Sequence, residues 1–160
     1  MQSGAGDGFR LAQSLAIANY LAAANGLGGK DARETALIEQ ALGGVEDARM
    51  EARKLFVATP EQRKAIREEL ADTSLPRWFG HFEKLLQANR SGSEYLVGNS
   101  LSVADLALWY LLEMIRDNGL GARLADHPVL SAFFERIAAR PRIAAYLSSA
   151  RRPALMLLPA

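Results

Sequence analysis

Apolar and polar positions follow a helical period along nearly the whole chain, and no segment after residue 13 carries the strict alternation of a half-buried strand. The pattern predicts an all-α protein. Its clearest helix begins after the turn residues Gly98-Asn99-Ser100, where Ser102 and Asp105 form a capping-box pair and Leu101 and Leu106 stand at the two ends of a hydrophobic staple. Val103, Leu106, Ala107, Tyr110, Leu111 and Met114 then keep helical spacing, while Leu108, Trp109 and Leu112 fill the opposite side. A helix apolar on both sides belongs at the centre of a bundle, buried nearly all round.

The remaining helices are set out by their start and stop signals. Ser14 to Asn25 forms the first, stopped by Gly26 and Gly28-Gly29. Asp31 to about Phe56 forms the longest, with Leu37, Ala41, Val45, Ala48, Ala52, Leu55 and Phe56 on one face. Gly43-Gly44 falls in its middle at a cost of about 1 kcal/mol per glycine relative to alanine. Another backbone approaches closely there, or the helix bends beside a ligand cleft, or it simply tolerates the pair. Thr59-Pro60-Glu61-Gln62 combines a cap, a proline at the first helical position and a capping-box glutamine, opening a helix toward Asn89 that Pro76 should kink. Beyond that kink, Trp78, Phe79, Phe82, Leu85 and Leu86 read as core. Arg90 to Glu94 is a Ser/Gly loop, Asp117 to Asp126 a connection, and Pro128 and Pro141 each start a closing helix. The tail from Arg151 to Ala160 shows no helical pattern.

Composition narrows the function classes. A chain of 160 residues buries about 70% of its unfolded surface, enough for one ordinary core. With 19 basic against 18 acidic residues there is no field to draw in nucleic acid or an anionic membrane. The absence of cysteine removes thiol nucleophiles, disulfides and Cys-ligated zinc, and His81 and His127 lie in no metal-ligand spacing. Leu11 to Ala24 is too short to span a membrane, has no basic n-region before it and is interrupted by Gln13, Ser14, Asn19 and Tyr20, so a signal peptide is not expected either. A cytoplasmic location is expected. Neighbouring carboxylates such as Glu46-Asp47 and Glu68-Glu69 point about 100° apart on a helix and read as solvated.

Gly98, Leu101, Ser102, Ala104 and Asp105 together resemble the Gly-x-x-apolar-Ser-x-Ala-Asp motif of the central helix in the C-terminal domain of cytosolic glutathione transferases. Three further stretches agree in order: residues 13–22 from Gln13-Ser14, residues 79–86 from Phe79-Gly80-His81, and the closing segment from His127-Pro128 to Pro141-Arg142-Ile143. The resemblance covers about residues 9 to 150 and fits a sigma-like class. It implies a remnant of a thioredoxin-like domain over residues 1–29, with a short strand at Phe9 to Ala12 and a helix, then a helical domain over 30–150 and a tail over 151–160.

The same resemblance implies functional residues. Gln13 and Ser14 match the pair that holds the γ-glutamyl end of glutathione, and a helix N-terminus is suited to a carboxylate. Asp47 matches the acidic position that reaches the glutathione of the other subunit; Arg49 and Met50 fall near the electrophile pocket; Ser102 and Asp105 are the fold motif. Only Met1 to Ala12 precede the Gln-Ser junction, so the thiol-activating residue has no counterpart, and this chain alone is expected to be inactive. The implied reaction is conjugation or isomerisation with glutathione, the helical domain shaping a pocket for a hydrophobic electrophile, in a homodimer formed through the second and third helices. The other reading is a non-catalytic interaction module, in which a protein partner covers Leu15, Ala18, Leu21 and Ala22 of the first helix.

Overall fold

The structure, a computed structural model, describes residues 8–89, 94–154 and 157–159. Among the described residues seven α-helices follow in order: α1 (Ser14–Ala24), α2 (Ala32–Val57), α3 (Pro60–Glu69), α4 (Leu75–Ala88), α5 (Val103–Asp117), α6 (Pro128–Ala138) and α7 (Pro141–Leu147). A π turn over Leu70–Ser74 joins α3 to α4, and a 3-10 turn over Ala122–Asp126 precedes α6. Residues 90–93 of the expected loop and Leu155-Met156 of the tail lie outside the described residues.

The expected strand at Phe9 to Ala12 does not form; among the described residues there is no strand at all. A strand is held by hydrogen bonds to a neighbouring strand, and none is there to pair with. The Phe9 ring instead lies 5.2 Å from that of Tyr20 on α1.

Helix ends obey local chemistry closely. Gly26, at φ 69°, closes α1 while the Leu27 amide donates back to the Ala22 carbonyl at 2.9 Å, a Schellman arrangement. Asp31 caps α2 by accepting from the Glu34 amide at 2.8 Å, and the Lys30 amide donates to the Glu34 carboxylate. Both predicted capping boxes form, at Thr59–Gln62 and Ser102–Asp105. The α1–α2 loop is tied to the start of α5 by the Val103 amide, which donates to the Leu27 carbonyl at 3.0 Å.

Pro76 acts one turn earlier than a simple kink. Its ring would collide with the carbonyl four residues back, and the chain avoids this by widening the preceding turn, where the Leu75 amide donates to the Leu70 carbonyl in a π-type bond. Helix α4 then continues with Phe79, Phe82 and Leu86 fully buried.

Helix α5 is the centre. Ala104, Leu108, Leu111, Leu112 and Ile115 are buried, flanked by Ala41, Val45, Ala48 and Leu55 of α2 and by Leu130, Phe133 and Ile137 of α6. Leu37 and Phe56, expected on the core face of α2, are half exposed, and Ile38 and Leu42 take their share of the burial. Gly43 and Gly44 serve no close backbone approach within the chain: a Cβ at Gly43 meets nothing, and one at Gly44 makes ordinary contacts with His81 and Phe82. The end of the chain docks rather than trailing. Leu158 is buried, its amide donates to Asn118 Oδ1 at 2.7 Å, and Arg67 donates to the Pro159 and Asn118 carbonyls.

Candidate functional site

Asp105 shows how tightly the start of α5 is fixed. Its carboxylate is buried and accepts three hydrogen bonds, from the Leu96 amide at 2.8 Å and from the Ser102 amide and hydroxyl at 2.7 Å each. Burial pushes this carboxyl above its ordinary range, and the donated bonds pull it back. The motif that opens α5 therefore also anchors the loop before it and sets the phase at which α5 presents its side chains.

One stripe of α5 is left uncovered. Val103, Leu106 and Ala107 are only partly buried and Tyr110 is 42% exposed. These residues form the floor of an apolar groove of about 380 Å³ running between α1, α2 and α5. Ser14, Leu15 and Ala18 of α1 make one wall; Leu42, Val45, Glu46 and Arg49 of α2 make the other; Met114 and Leu111 continue the floor.

Four polar side chains border this groove. Arg49 is held by Glu46 through two bonds, Nε to Oε2 at 2.8 Å and Nη2 to Oε1 at 2.6 Å, the bidentate geometry that fixes a guanidinium plane. The bond from Arg49 holds the Glu46 carboxyl below its ordinary range, and the reciprocal bond raises Arg49 above its own. Tyr110 lines the same cavity as Arg49. Among the described residues neither the Tyr110 hydroxyl, the Ser14 hydroxyl nor Arg49 Nη1 makes a hydrogen bond.

Ser14 is the first helical residue of α1, and the cap position belongs to Gln13, whose φ of 75° and ψ of 122° lie where a side-chain-bearing residue is strained. Of the residues singled out from sequence, the structure thus brings Ser14 and Arg49 to one groove. Gln13 adjoins it on the exposed strained turn. Asp47 is exposed on another side of α2, and Met50, 47% exposed, lies outside the groove with its sulfur 3.5 Å from Arg53 Nη1. Glu46, read from sequence as solvated, is engaged by Arg49; its three-residue spacing to Arg49 was the available signal. Tyr110 was absorbed into the buried stripe, although it is the only residue of that stripe with a hydroxyl. Among the described residues no group of His, Cys, Asp and Glu side chains is placed to hold a metal ion, and no helix is long and apolar enough to cross a membrane.

Comparison with known proteins agrees with this architecture. Residues 46–150 match the family model described as Glutathione S-transferase, C-terminal domain. The chain is 36% identical over 151 residues to Glutathione S-transferase alpha-2 of Rattus norvegicus, covering 93% of this chain and 67% of the relative. It is 38% identical over 149 residues to Glutathione S-transferase alpha I of Oryctolagus cuniculus, covering 92% and 66%. Among solved structures, prostaglandin synthase D of Nilaparvata lugens superposes with a TM-score of 0.78 at 27% identity, covering 92% of this chain and 72% of that one. NaGST-2 gives the same TM-score at 29% identity, covering 92% and 71%. These curated relatives carry alpha-class names, so the sigma-like class expected from the sequence finds no support in them. The chain spans about two thirds of their length.

Proposed function

The chain belongs to the glutathione S-transferase family, and from that premise we propose that its groove is the helical wall of a pocket in which an apolar electrophile meets glutathione. The observation that carries this reading is the meeting of Ser14 with the uncovered stripe of α5 in one cavity. At one end, Ser14 and the strained Gln13 turn offer a hydroxyl and the N-terminal amides of α1, suited to a carboxylate of glutathione. At the other, Leu106, Ala107 and Met114 offer apolar surface with room for a substrate. Conjugation or isomerisation follows from the family; the groove contributes binding and orientation, and the thiolate comes from glutathione. The resemblance assigns the thiol-activating residue to a thioredoxin-like portion, and turnover draws on that portion as well as on this groove. A homodimer through α2 and the α3–α4 segment and a cytoplasmic location complete the proposal. Exposed Met50 and Val57 on α2 are compatible with such an interface; a monomeric mass by light scattering at micromolar concentration would sink it.

The test is calorimetric titration with glutathione and with S-hexylglutathione. Burying even two methylenes of the hexyl chain, at about 0.8 kcal/mol each, gives roughly a tenfold tighter complex. Ser14→Ala should weaken both ligands, and Ala107→Phe, which fills the floor, should remove only the hexyl advantage. Equal affinity for the two ligands in the unmodified chain refutes the groove as an electrophile site.

One observation favours a second reading. Leu15, Tyr20 and Leu21 of α1 are 40%, 52% and 52% exposed, and Ala22 alone on that helix is buried. Such a surface suits coverage by another polypeptide, so a non-catalytic interaction module remains the alternative. Absence of any heat with either glutathione ligand would favour it.

A further inference from the structure

One four-residue sequence occurs twice in the chain, as Asn25-Gly26-Leu27-Gly28 and as Asn118-Gly119-Leu120-Gly121. The copies close α1 and α5 with nearly the same backbone. Gly26 and Gly119 take φ 69° and 70°, and the leucine amide after each reaches back to a helical carbonyl, Leu27 to Ala22 at 2.9 Å and Leu120 to Ile115 at 3.0 Å. Each asparagine also donates from Nδ2 to the carbonyl four residues before it, at 2.7 Å for Asn25 and 2.8 Å for Asn118. We propose that Asn25 is a site of spontaneous covalent modification, deamidating through a cyclic imide formed with the Gly26 nitrogen, and that the docked tail keeps Asn118 from the same reaction.

The chemistry needs only water. The Gly26 backbone nitrogen gives up its proton to water and attacks Asn25 Cγ; a C–N bond closes the succinimide ring, the Cγ–Nδ2 bond breaks, and Nδ2 leaves as ammonia. Water then opens the ring. Cleavage of the new Cγ–N bond leaves aspartate in the ordinary chain, whereas cleavage at the backbone carbonyl leaves isoaspartate, with the main chain running through Cγ. The balance is amide plus water to acid plus ammonia, with no change of oxidation state. Glycine permits the attack because no side chain crowds its nitrogen. The other asparagines, Asn19, Asn89 and Asn99, precede Tyr20, Arg90 and Ser100, whose side chains stand in the way.

What separates the two copies is what holds them. Asn25 is exposed, and among the described residues its Oδ1 accepts no bond and the Gly26 amide donates none. Only Ala22 is buried on α1, so this turn opens at little cost. At the other copy, Asn118 Oδ1 accepts from the Leu158 amide at 2.7 Å, and the Asn118 carbonyl accepts from Arg67. The Gly119 amide, whose nitrogen would have to attack, donates to the Arg116 carbonyl at 3.0 Å. Leu120 and Leu158 are both buried, so opening this turn lifts core side chains into water.

The products disturb α1. Either acid puts a carboxylate at the helix C-terminus, where the macrodipole is already negative. Isoaspartate also lengthens the main chain between the Ala22 carbonyl and the Leu27 amide that close the turn. The Leu27 carbonyl accepts from the Val103 amide, so the change reaches the first residue of α5 and the groove that α1 walls.

The test ages the whole chain in mildly alkaline buffer at body temperature and follows the tryptic peptides 11–30 and 117–123 by mass spectrometry, with fragmentation to place the acid. Asn25 should convert at least about tenfold faster than Asn118, the factor that about one hydrogen bond broken before reaction supplies. In guanidinium chloride the shared Gly-Leu-Gly context should bring the two rates together. Leu158→Ser, which unseats the tail without touching either turn, should speed Asn118 and leave Asn25 unchanged while circular dichroism shows the helices intact. Arg67→Met, which removes the bonds to the Asn118 and Pro159 carbonyls, should act in the same direction. Matching rates in the native chain overturn the proposal, as does faster conversion at Asn118. A gap that persists in guanidinium chloride overturns it as well, since the cause then lies outside the fold. If neither tail variant speeds Asn118, the protecting role of the tail is overturned.

Discussion

Removing the Asp105 side chain should cost this domain about 3 to 4 kcal/mol. In Asp105→Ala the Leu96 and Ser102 amides, which donate to Asp105 at 2.8 and 2.7 Å, become buried donors without acceptors, at about 1–3 kcal/mol each. The Ser102 hydroxyl can turn to other partners and adds little. Against these losses stands the relief of a buried carboxyl that burial already disfavours in its charged form. Two donors at the middle of their range, reduced slightly by that relief, give the stated figure. For a chain of this size each kcal/mol shifts the melting temperature by about 2–4 °C, so Asp105→Ala should melt about 6–16 °C lower. Ser102→Ala removes a cap hydroxyl and should cost only about 1 kcal/mol. Asp105→Asn should fall between them, since the amide keeps an acceptor oxygen but turns an N–H group toward a donor. Urea unfolding followed by circular dichroism, at one fixed protein concentration, measures all three. A loss below about 1 kcal/mol for Asp105→Ala, with the Leu96 amide still protected from hydrogen exchange, would refute the anchoring role.

Further outcomes follow from glycines and from one buried acid. Gly98 has φ 64°, and a Cβ there would lie 2.0 Å from Glu34 Oε1, so Gly98→Ala should combine backbone strain with loss of the Glu34 bond to the Lys30 amide and cost over about 2 kcal/mol by urea unfolding. Gly43→Ala, with open space around its Cβ, should instead stabilise the chain by about 0.5–1 kcal/mol; destabilisation would show that something outside the chain approaches that face. Glu113 is buried and bonded to Arg152 at 2.7 Å, and burial raises its carboxyl above the ordinary range while Arg152 acts the other way. Between its unfolded and folded pKa values the native state therefore holds the extra proton, so stability falls as pH rises through that window. Urea midpoints at pH 4 and pH 7 should show this fall in the unmodified chain relative to Glu113→Gln; a flat or inverted difference rejects it.

What the sequence discloses here is set by how local the governing interaction is. Caps at Thr59 and Ser102 depend on residues three apart and were legible. So was the α5 stripe from Val103 to Tyr110, since period alone defines it. That the stripe opens onto a groove was not legible, because periodicity marks an apolar face without saying what covers it. The same limit hid the tail, where Leu158 is buried by α3 and the end of α5 through contacts about 40 to 92 positions away in sequence. Glu46 and Arg49 had the spacing of a helical pair, yet only the placement of α1, α2 and α5 around one cavity makes that pair a rim. The strand expected at Phe9 failed for the opposite reason: its formation depended wholly on neighbours.

The widened turn at Leu70–Ser74 acts as a phase shifter. It inserts a residue beyond what an uninterrupted helix would need, and each residue of an α-helix rotates the following side chains by about 100°. Helix α3, which buries no residue, and α4, which buries Leu75, Phe79, Phe82 and Leu86, therefore need not share a common inward direction. Deleting one residue from this turn would not merely shorten a connection; it would swing the aromatic face of α4 off the axis of the bundle. Length at this point is thus under tighter constraint than identity, and natural variants should exchange side chains there far more readily than they gain or lose a residue.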